Sequence, residues 1–128
     1  MYGFSTRVSC GYEEAIAQVT DELKKEGFGV LTEIDVAATL KAKLNIDKRP
    51  YRILGACNPP LANQAIDADP DIGLLLPCNV VVRQEEDGGI TVAFMDPEAV
   101  LAMVNKPGVE GLAKQVKEKL LRVCDALK

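Results

Sequence analysis

The chain has 128 residues, of which 48% are hydrophobic and 27% charged, and a formal net charge of −4. That describes one globular domain, large enough to bury a core without metals or disulfides as staples. The acidic balance, the absence of histidine and the presence of only three Tyr, three Phe and no Trp argue against general nucleic-acid binding, a base-stacking platform, His-based triads and His metal ligands.

No apolar run approaches the roughly 18 residues of a membrane span. The first residues show no basic region leading into a long apolar stretch, so a signal peptide is not expected, and the expected location is cytoplasmic. In that reducing compartment the four cysteines start as free thiols rather than a disulfide framework.

Residues 2–9 alternate loosely, with Phe4, Thr6 and Val8 on one face, and read as a first strand. Ser9 or Gly11 can cap a helix in which Tyr12, Ile16, Val19 and Leu23 share a stripe, and Gly27 suits a helix exit at positive φ. Residues 28–34 give a second strand, so strand, helix and strand fit a crossover unit. Asp35 is a natural N-cap for a helix over Val36–Leu44. Tyr51–Cys57 reads as a third strand. Asn58-Pro59 then starts a helix to Ala68, with Asn capping and Pro at the first helical position.

Residues 69–73 break that helix, and Leu74, Leu75, Leu76 and Pro77 lead into a fourth strand over residues 79–84. The run Glu85-Glu86-Asp87-Gly88-Gly89 is a turn into a fifth strand, Ile90–Met95, and the two make a hairpin. Asp96-Pro97 repeats the cap-plus-proline start, for a short helix ending near Val104. A last helix from Val109 carries Leu112, Val116, Leu120, Val123 and Leu127 on one stripe. The order predicts an α+β fold: two layers, with one mostly antiparallel sheet of about five strands and helices on one face. No internal repeat or linker divides the chain, so residues 1–128 form a single domain. An exposed, partly apolar sheet face commonly dimerises, and a homodimer is expected.

Two Cys-Asn pairs carry the candidate site. Cys57-Asn58 closes the third strand before a helix, and Cys78-Asn79 opens the fourth, each next to proline. A helix N-terminus favours a thiolate, which gives Cys57 a reason to be reactive. The thiols meet only if strands three and four are antiparallel. A ten-residue helix covers about 15 Å, and the nine residues 69–77 can return the chain by up to about 30 Å, which favours that arrangement. Leu74, Leu75 and Leu76 then become a candidate wall of a pocket near both thiols. Packing alone is the competing account, since free cysteine is among the most buried residue types. Asn58 is most simply a cap, whereas Asn79 lacks that explanation. The cluster Lys41, Lys43, Lys48, Arg49 and Arg52 is a candidate anion site or a solvated set of cations near a helix C-terminus.

On Tyr51-Arg52-Ile53-Leu54-Gly55-Ala56-Cys57-Asn58-Pro59, the later Leu76-Pro77-Cys78-Asn79-Val80-Val81-Val82, and Asp96-Pro97, the chain resembles the bacterial and archaeal family called domain of unknown function 302 over nearly its whole length. The resemblance implies a TATA-binding-protein-like architecture, dimeric members and no established activity. Its motif residues correspond to Cys57, Asn58, Cys78 and Asn79, and nothing is carried over to Cys10 or Cys124. The leading expectation is a dimeric binding module whose ligand, a thiol compound, a sulfur-containing metabolite or a soft metal ion, sits near Cys57 and Cys78. The alternatives are a thiol-dependent redox enzyme, with Cys57 as nucleophile and Cys78 as resolving thiol, and a structural or interaction protein without thiol chemistry.

Overall fold

The computed structural model describes residues 1–128. Five strands, β1 (Gly3–Val8), β2 (Gly29–Asp35), β3 (Tyr51–Cys57), β4 (Cys78–Gln84) and β5 (Ile90–Met95), form one open sheet in the order β1-β5-β4-β3-β2. Every neighbouring pair is antiparallel. β1 and β2 therefore run in the same direction, as a crossover through α1 (Tyr12–Lys25) requires, but they occupy opposite edges with three strands between them.

The remaining helices are α2 (Val36–Leu44), α3 (Pro59–Ala68), α4 (Pro97–Leu101) and α5 (Val109–Ala126). α2, α3 and α4 start at the expected caps, Asp35, Asn58 and Asp96. The Asp35 carboxylate accepts from the Ala38 N–H at 2.9 Å, and Asp96 accepts from Glu98 at 2.9 Å and Ala99 at 3.3 Å. α1 begins at Gly11 without a side-chain cap and ends through Gly27 at φ 85°, where the Phe28 N–H returns to the Leu23 carbonyl. One element was not foreseen. A 3-10 helix, Pro70–Leu75, follows α3, and Asp69 caps it through the Asp71 N–H.

Strand alternation sorts the sheet into two faces. Cys78, Val80 and Val82 of β4 are buried, while Asn79, Val81 and Arg83 between them are exposed or half-buried. The buried face packs on Ala15, Val19 and Leu23 of α1 and on Leu120, Val123 and Cys124 of α5, forming the main core with Leu54, Val92 and Phe94. Each buried Val, Leu or Phe among them contributes roughly 1.5–3 kcal/mol of burial. A second, smaller core joins Leu61 and Ala65 of α3, Ile72, Leu101 of α4 and Leu112 of α5. Val116 touches both cores. No helix is long and apolar enough to cross a membrane.

Candidate functional site

The antiparallel β3–β4 ladder places Cys78 directly opposite Ala56, so Cys57 lies one step diagonal to it at the same end of the sheet. Both thiols line a single cavity of about 330 Å³ at the seam between the two cores. The main core supplies Phe28, Ala56 and Cys78, and the smaller one supplies Leu61, Ala65, Leu101 and Leu112. Of the three consecutive leucines, Leu76 reaches this wall, Leu75 packs into the smaller core, and Leu74 is 86% exposed.

The two thiols are unequal. Cys57 is half-buried, whereas Cys78 is buried among main-core side chains. Burial, and after it the neighbouring Cys57, pushes the Cys78 thiol up to about 11. Cys78 is therefore a neutral thiol at physiological pH and a poor nucleophile. Cys124, in the main core, is also shifted upward by burial.

Asn58 is a structural clip. It is 9% exposed, and its carbonyl oxygen accepts the Leu61 N–H at 3.4 Å while its amide donates to the Glu26 carbonyl at 3.3 Å. It thus ties the start of α3 to the end of α1. A Cβ on Gly27 would stand 3.0 Å from that amide, at a φ that already favours glycine. Replacing Asn58 by alanine removes a cap and leaves a carbonyl without its partner. We expect a loss of about 1–3 kcal/mol in urea unfolding, with Asn58→Asp recovering the cap but not the donor.

Asn79 does not join this cavity. As the residue after Cys78 it points to the opposite face, where it lines a groove with Tyr2, Val81 and Arg83. The basic cluster also separates. Arg52 pairs with Glu33 at 2.9 Å, Asp35 at 3.4 Å and Glu13 at 3.6 Å, and its guanidinium lies over the Tyr12 ring. Lys41 pairs with Asp47 at 3.0 Å. No group of three or more Cys, Asp or Glu side chains converges to hold a metal ion.

Three features of the cavity escaped the sequence reading. A β-bulge interrupts the β2–β3 register between Val30 and Thr32, leaving Leu31 unpaired, and Leu31 lines the cavity. Gly55 sits mid-strand because a Cβ there would run into Thr32 Oγ1 and come within 2.8 Å of Pro77 Cγ. A glycine inside a strand was the signal that marks such a close approach. Ile66, on the wall contributed by α3, carries no sequence signal that separates it from other apolar helix positions.

The fold is that of a small α+β protein with an open five-stranded antiparallel sheet and a cavity at its helix-capped end. The family described as Domain of unknown function DUF302 matches residues 4–127. The crystal structure of an uncharacterized conserved protein DUF302 from Bacillus stearothermophilus is similar at a TM-score of 0.92 and 32% identity, over 100% of this chain and 99% of that one. The chain belongs to the DUF302 family. No curated protein matches it.

Proposed function

We propose that the protein binds a small molecule in the cavity at Cys57 and Cys78. One observation carries this reading: two cores meet without filling the space between them, leaving a pocket within the usual size range of ligand sites, about 300–1,000 Å³. The redox-enzyme reading has less support, because Cys78 is held as a thiol and the chain has no histidine to serve as base. A soft metal ion would find two thiols here and no third side-chain donor of the Cys, Asp or Glu type. A homodimer through the open sheet face remains part of the proposal, supported by Val81 and Ala93 in its groove. Val81→Lys should then halve the mass seen by sedimentation.

The test of binding is a thermal-shift screen run in parallel on the native protein and on Ala62→Phe, which places a ring into the cavity wall. A ligand at 100 times its Kd stabilises by about 3 kcal/mol, or several degrees in a domain of this size. Compounds that stabilise the native protein and not the variant support the cavity. Stabilisation that survives the ring places binding elsewhere and sinks the reading.

A further inference from the structure

The cavity offers an occupant very little to hydrogen-bond and nothing to pair with a charge. No Asp, Glu, Lys or Arg lines it. Asn58, its single side-chain amide, is spent at both ends on Leu61 and Glu26. Beyond the thiols, Thr32 supplies the one hydroxyl. A charged ligand drawn inside would lose its hydration and gain no compensating partner, a heavy penalty in apolar surroundings. Thirteen of the eighteen lining residues are hydrophobic, so contact with hydrocarbon is what the walls reward.

Size follows from the same walls. An apolar cavity of roughly 150 Å³ accommodates benzene, so about 330 Å³ suits on the order of a dozen non-hydrogen atoms. The mouth can also be placed. Leu31 and Ile66 both line the cavity yet are 67% and 45% exposed. They stand on the edge strand β2 and on α3, so an entering molecule passes apolar side chains from two different elements. Leu31 is at this rim because the bulge takes it out of the β2–β3 ladder.

Building on the small-molecule reading, we infer that the cavity takes an uncharged, hydrocarbon-rich molecule of about a dozen non-hydrogen atoms, admitted between Leu31 and Ile66. An anion, a metal ion and a hydrophilic thiol compound are the classes it disfavours.

The experiment is an amide NMR titration of the full chain with four probes: naphthalene, 2-naphthoate (the same rings bearing a carboxylate), reduced glutathione and Cu(I). Naphthalene is expected to shift the amides of Leu31, Cys57 and Ile66, with a Kd at least about tenfold below that of 2-naphthoate. Leu31→Asp, at an exposed position, should weaken naphthalene about tenfold while the thermal midpoint stays close to native. Ile66→Asp is the second variant should the first fail to fold. If 2-naphthoate, glutathione or Cu(I) binds at these amides as tightly as naphthalene, the ligand class is overturned and the cavity reading stands. If none of the four moves a cavity amide, both fall. If naphthalene binds the folded Asp variants as well as the native chain, the assigned mouth is wrong.

Discussion

Gly55→Ala is expected to destabilise the protein by about 2–3 kcal/mol, well above the cost of an ordinary exposed substitution. Gly55 lies in β3, between β2 and β4, and the added methyl would meet Thr32 Oγ1 from one side and Pro77 Cγ from the other. The proline ring is stiff and the threonine is β-branched, so neither yields easily. Shortening Thr32 should relieve one of the two collisions. Gly55→Ala combined with Thr32→Ala is therefore expected to be less destabilised than the sum of the single changes, by about 1 kcal/mol. Urea unfolding of the four proteins measures this directly. Simple additivity would mean that Gly55 is chosen for something other than close approach. Because Thr32 and Pro77 also line the cavity, ligand binding should weaken in Gly55→Ala and return partly in the pair.

The second large effect is an alkaline loss of stability centred on Cys78. An unfolded chain ionises this thiol near the ordinary value of 9.0, whereas the folded protein holds it protonated to about 11. Below pH 9 both states carry the proton, and stability from this source is complete. Between pH 9 and 11 the unfolded state gives up its proton first, so stability falls, by about 2–3 kcal/mol once the folded thiol also ionises. Cys124 shifts in the same direction, so the useful quantity is the difference between the native protein and Cys78→Ala. The variant should start lower at pH 7, for lost packing, and lose less on the way to pH 11. Parallel curves would show that Cys78 does not titrate as its burial demands. Iodoacetamide should follow the same division: Cys57 reacts in the folded protein, and Cys78 resists until the chain unfolds.

Much of the fold was legible because local signals agreed with one another. Val36–Leu44, Tyr51–Cys57, Pro59–Ala68 and Ile90–Met95 fall where periodicity and the Asp35 and Asn58 caps put them. The nine residues after α3 pointed to the antiparallel β3–β4 pair, and with it to the meeting of the two thiols. The 3-10 helix was legible in principle, since Asp69-Pro70 is a third instance of the signature read at Asn58-Pro59 and Asp96-Pro97. What stayed hidden depends on register. Whether Asn79 faces the helices or the open side is decided by a one-residue alternation from Cys78, and the bulge at Leu31 is an event in a ladder rather than a pattern in a string. The cavity is further still from the sequence, because it is a mismatch between two packed clusters and no single segment contains it.

The wide separation of β1 and β2 also fixes when the molecule can be completed during synthesis. β1 has one neighbour in the sheet, β5, and their pairing joins Gly3 to Met95. At about 5–20 residues per second, the first strand waits on the order of ten seconds for a partner that has yet to be translated. During that interval Phe4 and Val8 lack the sheet neighbour that later covers them, and a chain stalled before Met95 keeps β1 unpaired. A strand translated well before its partner is thus among the last to find its place.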